Sequence, residues 1–175
     1  RTAIKFPPSS RMAMFNSIVM LAQGSKADDG RLEWLASNTV PVLVEWASKG
    51  SIDGDIRHPL CIAAAFQVIY TLLARCGSFD WLSGDISEAE FVCRTLRCAL
   101  KSFHTSEGDG QTEDMLRLAA LKLLVTIIAL NHANDMETEA GLKGYLTPRE
   151  IQQAMAALHG AANVDKNPEV RRLAN

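Results

Sequence analysis

Residues 59–74 read PLCIAAAFQVIYTLLA, a stretch of 16 residues with Gln67 near its middle. Apolar side chains occupy nearly every position, so a helix formed here is apolar almost all round and other elements must cover most of its sides. The stretch is short for a bilayer span, and it carries a central amide. It therefore predicts a fully buried core helix rather than a membrane segment.

The rest of the chain extends the same helical pattern. Apolar residues recur at spacings of three and four, and no segment alternates with period two over a useful length. A second nearly all-apolar segment covers 113–131, and amphipathic segments precede both apolar ones. The pattern predicts seven helices, at roughly 9–23, 31–49, 57–75, 88–104, 113–131, 147–162 and from 168 onward.

Signals for helix ends agree with these spans. Ser87 and Thr147 each stand three residues before a glutamate, Glu90 and Glu150, which is the pattern of a capping box. Asn167 followed by a proline predicts a third helix start. Glycines mark the expected stops, namely Gly24, Gly50, Gly77 and Gly160 or the residues just after it.

Composition describes an ordinary folded domain. The chain has 175 residues, 47% of them apolar, and a formal net charge of −2. One domain covering 1–175 is expected, since this length buries a substantial core. The near-neutral charge argues against nucleic acid as the main ligand.

The cysteines and histidines favour no metal or disulfide site. Four cysteines lie mostly within apolar helical patterns and form no CxxC pair, so they are interpreted as free thiols of an intracellular, cytoplasmic or nuclear protein. A disulfide framework is the alternative. The histidines are scattered, which disfavours zinc. We expect no cofactor, no metal and no membrane contact.

Three segments carry a resemblance to a family. Residues 165–174 read DKNPEVRRLA, 116–120 read LRLAA, and 40–46 read VPVLVEW. These resemble the second-helix starts and the Pro-containing first helix of HEAT repeats, with the related armadillo type as an alternative. The resemblance implies an all-α stack of antiparallel helical hairpins, a right-handed α-solenoid continued by further repeats of a longer protein. It also implies that Asp165 bonds the following helix start and Arg171, as part of a ladder along the stack.

The repeat spacing is longer than the family's. Taking Arg11, Ile62, Arg117 and Arg171 as equivalent positions gives steps of 51, 55 and 54 residues. Using Arg57 in place of Ile62 gives steps of 46, 60 and 54. In both registers at least two of the three steps exceed the usual HEAT or armadillo repeat of about 40–47 residues, which indicates long connections between helices.

No local motif indicates catalysis. There is no Gly-x-Ser-x-Gly, no Gly-rich phosphate loop and no His-Glu-x-x-His, and the glycine–aspartate turns do not continue into a calcium loop. We therefore expect a protein-binding scaffold or adaptor rather than an enzyme, with no catalytic residues. A non-catalytic regulatory domain of a larger enzyme is one alternative.

The predicted partner site is the free strip of each hairpin's second helix, since solenoids usually line their inner surface with that helix. Its surface suits an extended peptide or an amphipathic helix. We call it the inner strip, and it comprises Asn16, Met20, Gln23, Gln67, Thr71, Arg75, Lys122 and Thr126. The loops at 76–87 and 132–146 are the competing partner site.

A second candidate surface is cationic. Arg94, Arg97 and Lys101 share one helix face at spacings of three and four. This basic stripe could contact an acidic partner or a phosphate backbone, which makes a nucleic-acid-associated subunit of a larger complex the runner-up function. A solvated face is the simpler interpretation.

Overall fold

The computed structural model describes residues 8–26, 30–48, 58–82, 87–105, 110–137 and 145–175. Within these ranges the chain is all-helical, with seven helices and no strand. This confirms the predicted fold class at the level of an all-α protein. The helices are α1 Pro8–Gly24, α2 Arg31–Ser48, α3 Pro59–Cys76, α4 Glu88–Thr105, α5 Gln111–Glu137, α6 Pro148–Val164 and α7 Pro168–Ala174.

Most helix ends fall within two residues of their predicted positions, but α5 does not. It runs for 27 residues and ends at Glu137, whereas the sequence pattern predicted an end at 131 and a loop from 132. The polar Asn131 does not stop the helix because its side chain is buried and its Oδ1 accepts a hydrogen bond from the Leu146 amide, 3.1 Å away. A distant partner therefore satisfies a side chain that would otherwise favour a loop.

The helix caps are largely those predicted. Thr147 and Glu150 form a complete capping box at the start of α6. The Ser87 hydroxyl accepts the Glu90 amide at 3.2 Å, but the Glu90 carboxylate binds Arg94 within α4. Gly77 ends α3 with a left-handed φ of 72°, a conformation that glycine adopts without steric cost.

Two predicted glycine stops have other outcomes. Helix α6 continues through Gly160 to Val164, so that glycine does not end it. Gly50 lies outside the described residues. The cap of α6 is Asp165, whose amide donates to the Ala161 carbonyl.

The helices contact one another in two series. The first series is α1, α3, α5 and α7, in which each helix packs on the one before it. The second series is α2, α4 and α6, in which α4 contacts both of the others. Each of α2, α4 and α6 also packs on the helix that follows it. This pattern explains why α3 and α5 are apolar nearly all round, since each has neighbours on several sides.

The core is continuous through these contacts, and its largest fully buried side chains lie mostly on α3, α4 and α5. Six apolar residues at spacings of three and four form one face of α5. Five of them are buried, and the sixth, Ile128, is half-buried; the five are Leu116, Ala120, Leu123, Leu124 and Ile127.

Polar contacts join helices of the same series at their ends. The Arg75 guanidinium, in the last turn of α3, donates to the Ser25 carbonyl just after α1, at 2.6 Å. Near the amino-terminal ends of α5 and α7, Arg117 of α5 lies 3.2 Å from the carboxylate of Asp165, which precedes α7. Carboxyl-terminal ends therefore meet in the first pair, and amino-terminal ends meet in the second.

The expected side-chain pair between Asp165 and Arg171 takes a different form. Arg171 donates to the main-chain carbonyls of Asp165 and Lys166. The Asp165 carboxylate instead contacts Arg117 and accepts the Asn167 amide at 2.8 Å. It thus bonds the following helix start, as the resemblance implied, and its arginine partner belongs to the preceding helix of the series.

Phe79 and Trp81, between α3 and α4, are buried. Phe79 packs edge-on against Tyr145 with ring centroids 5.5 Å apart, and Trp81 packs edge-on against Phe91 at 5.9 Å. The Trp81 indole N–H donates to the Ser78 carbonyl at 2.7 Å. Both aromatic rings therefore anchor the connection on the core.

Candidate functional site

The inner strip lies on three helices that pack side by side, α1, α3 and α5. Met20 is 72% exposed, and four further members on α1 and α3 are exposed polar side chains. On α5 the strip is less open, because Lys122 is half-buried and Thr126 donates its hydroxyl to the Lys122 carbonyl at 2.8 Å. Its exposed members are Asn16, Met20, Gln23, Gln67 and Arg75, and its half-buried ones are Thr71, Lys122 and Thr126.

Arg75 has a structural partner within this strip. Its guanidinium is held by the Ser25 carbonyl at the end of α1, which restricts the direction in which the side chain extends. A partner that binds along the strip would therefore meet a positioned cation between α1 and α3.

The basic stripe lies in a groove. Arg94, Arg97 and Lys101 line a cavity of about 750 Å³ that runs along α4. Ala47, Ser48 and Ile62 border it on the side of α2 and α3, and Tyr145 and Thr147 border it on the side of α6. We call this cavity the α4 groove. The structure thus brings the three predicted cations to one concave surface.

Two of these cations are paired with carboxylates. Arg94 lies 3.1 Å from the exposed Glu90 one turn earlier, and Arg97 lies 2.8 Å from Glu150 at the start of α6. The Arg97 side chain is 71% exposed, whereas that of Glu150 is 7% exposed. The groove therefore presents a positive surface that is partly neutralised from within the fold.

Glu150 joins α6 to α4, a role that the capping-box pattern did not reveal. Burial alone raises the pKa of its carboxyl, but hydrogen bonds from the Thr147 amide and hydroxyl, the Cys93 thiol and Arg97 outweigh burial and lower that pKa to about 2. The charged form is consequently the form that this site stabilises. The residue spacing predicts the capping box of Glu150. It does not predict the contacts of Glu150 with Cys93 and Arg97, because these residues are far away in sequence.

Tyr145 lies beside the same cluster. Its hydroxyl donates to the Glu88 carboxylate at the start of α4. Burial, together with the hydrogen bond and negative charge of Glu88, raises the Tyr145 pKa to about 12. Tyr145 therefore remains neutral and forms a second link between α4 and the segment that precedes α6.

The cysteines are all free thiols within helices. Cys61 and Cys98 are buried, and Cys76 and Cys93 are half-buried. Burial, then the charge of Glu33, raises the Cys76 pKa to about 11, and burial and Glu150 raise that of Cys93. A nucleophilic cysteine requires a lowered pKa, so Cys76 and Cys93 are poorly suited to that role.

A second cavity, of about 690 Å³, lies between α4 and α6. Leu100 and Phe103 face small residues of α6 across it, including Ala157 and Gly160, and the Arg117–Asp165 pair lies at its edge. The cavity arises because the α6 side chains on this face are too small to fill the space. Its lining is largely apolar.

Within the described ranges, no group of three or more His, Cys, Asp and Glu side chains could hold a metal ion. In the part of the chain that the structure describes, two helical stretches are long and apolar enough to cross a bilayer, Pro59–Cys76 and Gln111–His132, and 56% of an 18-residue window of each is buried inside the fold. Helices at the core of a folded domain pass the same test of length and composition.

Comparisons with known proteins give no relative: no family model, no curated protein and no solved structure matches this chain.

Proposed function

We propose that this chain is an intracellular protein-binding scaffold built from stacked helical hairpins of the HEAT or armadillo type. In such an arrangement each hairpin contacts its neighbours alone, and binding surfaces run along the stack. The hairpins here would be α2–α3, α4–α5 and α6–α7, with α1 as the second helix of an earlier hairpin. The two series of helix contacts support this assignment.

The observation that carries the proposal is the regular spacing of the polar contacts between hairpins. Ser25 and Arg75 are separated by 50 residues, Arg97 and Glu150 by 53, and Arg117 and Asp165 by 48. These separations lie near the steps of 51, 55 and 54 residues that the sequence register predicts. A repeat of this length would produce such contacts because equivalent helices of successive hairpins are then neighbours.

Within this proposal, the partner is a protein that contributes an extended peptide or an amphipathic helix to the inner strip. The strip combines exposed amide side chains with the exposed thioether of Met20. Amide groups can bond a peptide main chain, and a methionine adapts to apolar side chains of different shape.

The experiment is affinity capture by the intact chain and by a double variant, Gln67→Glu with Lys122→Glu. The two substitutions add negative charge to the middle of the strip and should abolish capture of a strip-dependent partner. The matched control carries Gln152→Glu with Arg172→Glu, a comparable charge change at exposed positions of α6 and α7. Captured proteins are identified by mass spectrometry. A protein is considered a partner only if the intact chain and the control variant both capture it.

The competing partner site consists of the segments predicted as loops, 76–87 and 132–146. Of these, Cys76 belongs to α3 and 132–137 belong to α5, while 83–86 and 138–144 lie outside the described residues. Asp80 is an exposed residue of the first loop, and Asp80→Lys reverses its charge. If capture survives the double variant and Asp80→Lys abolishes it, the inner strip is not the partner site.

The nucleic-acid alternative is less well supported by the geometry. The stripe covers two turns of one helix, and Glu90 and Glu150 lie against two of its three cations, so it offers little uninterrupted positive surface to a continuous phosphate backbone. A purified chain that retains nucleic-acid absorbance, lost steeply with added salt, would favour this alternative over the scaffold.

A further inference from the structure

The α4 groove has a charge opposite to that of the chain as a whole. The chain carries a formal net charge of −2. Among the described groove residues, three cations stand against the Glu90 carboxylate, and Glu150 adds a second negative charge behind Arg97. A local positive surface on an acidic protein attracts acidic ligands selectively.

Two of the three cations of the groove are held by contacts within the fold. Arg94 and Arg97 each use an Nη2 group to bind a carboxylate, which restricts the directions in which the two side chains extend. A guanidinium has five N–H donors, so these contacts leave further donors for a ligand. Lys101 is exposed one turn beyond Arg97. A ligand would thus meet two arginines whose side chains the fold already restricts, which lowers the entropy cost of binding.

The floor and rim of the groove suit a peptide. Ile62, Ala47 and Cys98 provide apolar surface beside the cations, while hydroxyl groups of Ser48, Ser102 and Thr105 line the rim. An extended peptide with alternating side chains can direct carboxylates to the stripe and apolar groups to the floor.

The dimensions favour a peptide over a nucleic acid. Arg94 and Lys101 are seven residues apart on one helix, so the stripe is about 10 Å long. This length matches a few residues of extended chain. A polynucleotide would place continuous phosphates across the Glu90 carboxylate, and its backbone would gain little from an apolar floor.

We propose that the α4 groove binds an acidic segment of a partner protein, with its carboxylates on Arg94, Arg97 and Lys101 and its apolar side chains on the floor. The inference shares with the proposed function the premise that the chain binds proteins, but it concerns a different surface from the inner strip. The two are therefore separable by mutation.

The test uses a fluorescent peptide of alternating glutamate and leucine, with a matched peptide in which glutamine replaces glutamate. We expect saturable binding of the glutamate peptide, weakened by salt, and at least tenfold weaker binding of the glutamine peptide. Lys101→Glu should weaken binding about tenfold or more, since a charge-assisted contact is lost and a repulsive charge is added. Lys101 is exposed, so the fold tolerates the change.

Two thiols give an independent readout of where the peptide binds. Cys93 lines the groove, whereas Cys76 at the end of α3 does not, and both are half-buried. Bound peptide should slow alkylation of Cys93 several-fold and leave the alkylation rate of Cys76 unchanged. Mass spectrometry of the alkylated chain reports both sites in one sample.

The control variants separate this proposal from others. Arg172→Glu makes the same type of charge change outside the groove and should leave binding unchanged, as should the inner-strip variant Gln67→Glu with Lys122→Glu. The proposal is overturned if the glutamate peptide does not bind, if Lys101→Glu leaves its affinity unchanged, or if Cys93 is not protected. Tighter binding of polyuridylate at the same residues would overturn the assignment to a peptide.

Discussion

Arg117 and Asp165 form a buried ion pair between α5 and the residue that precedes α7. The Nε atom of Arg117 lies 3.2 Å from Oδ2 of Asp165, and both side chains are 9% exposed. Arg117 also contacts Asp114 on its own helix, and Asn167 donates to both aspartates. This cluster joins the last helix to the core through polar groups that are largely removed from water.

Asp165→Ala should therefore destabilise the fold. Removing Asp165 takes away one carboxylate from the buried Arg117 guanidinium and leaves Asp114 beside it, and breaking a buried pair typically costs about 3–5 kcal/mol. Because Asp114 remains, we expect a loss near the lower end, about 3 kcal/mol, in the free energy of unfolding from denaturant titration.

Glu169→Ala is the matched control, since Glu169 is an exposed carboxylate in the first turn of α7. It should change the free energy of unfolding by less than about 0.5 kcal/mol. An equally small loss for Asp165→Ala would show that the pair contributes little to the attachment of α7.

Core packing gives the second prediction. Leu124 is fully buried on α5, which packs on α3 and α4. Leu124→Ala removes buried methyl groups and leaves a cavity, so the free energy of unfolding should fall by about 2–5 kcal/mol. Met115 on the same helix is 48% exposed, and Met115→Ala should cost far less. Equal losses from the two variants in denaturant titration would contradict the buried face.

The sequence predicted those features that depend on neighbours in the chain. The helical periodicity, the capping box of Thr147 and the helix end at Gly77 each depend on residues a few positions apart, so the sequence was sufficient to predict them. The three stripe residues also share a helix face by spacing alone, and the structure places them in one groove.

The missed features depend on residues distant in sequence. The extension of α5 requires the contact between Asn131 and Leu146, and the burial of Glu150 requires Arg97 and Cys93 on another helix. Nothing within one helix indicates which carboxylate another helix will cover. For the same reason the pairing of Asp165 with Arg117 was not predicted.

Thiol chemistry gives the third prediction. The Cys76 pKa is raised from 9.0 to about 11, first by burial and then by the charge of Glu33. At neutral pH the thiolate fraction is then about a hundredfold lower than for an unshifted thiol, and alkylation depends on the thiolate. The rate of Cys76 alkylation in the folded chain should rise with pH until about 11.

The unfolded chain is the control for this measurement, because Cys76 loses both burial and the neighbouring charge. Its alkylation rate in denaturant should level off near the ordinary pKa of a thiol. A folded chain whose Cys76 rate levels off at the same pH as the unfolded chain would contradict the shift.

The fourth prediction is a pH dependence of stability that originates at Glu150. Its pKa is lowered in the folded state from 4.5 to about 2 by Thr147, Cys93 and Arg97, despite its burial. The unfolded chain therefore takes up this proton at higher pH than the folded chain does. The stabilisation is fully present above the unfolded pKa and is lost as pH falls from about 5 towards 2.

Glu150→Gln isolates this contribution, because glutamine keeps the shape and can still serve in a capping box but carries no charge. The variant should be less stable than the intact chain by up to about 3 kcal/mol at neutral pH, the free energy that corresponds to the shift. Denaturant titrations at a series of pH values should show this difference shrinking as the solution is acidified. Glu169→Gln, at an exposed position, should show almost no difference at any pH. If the difference between Glu150→Gln and the intact chain stays constant down to about pH 2, the lowered pKa of Glu150 is not what stabilises the junction between α4 and α6.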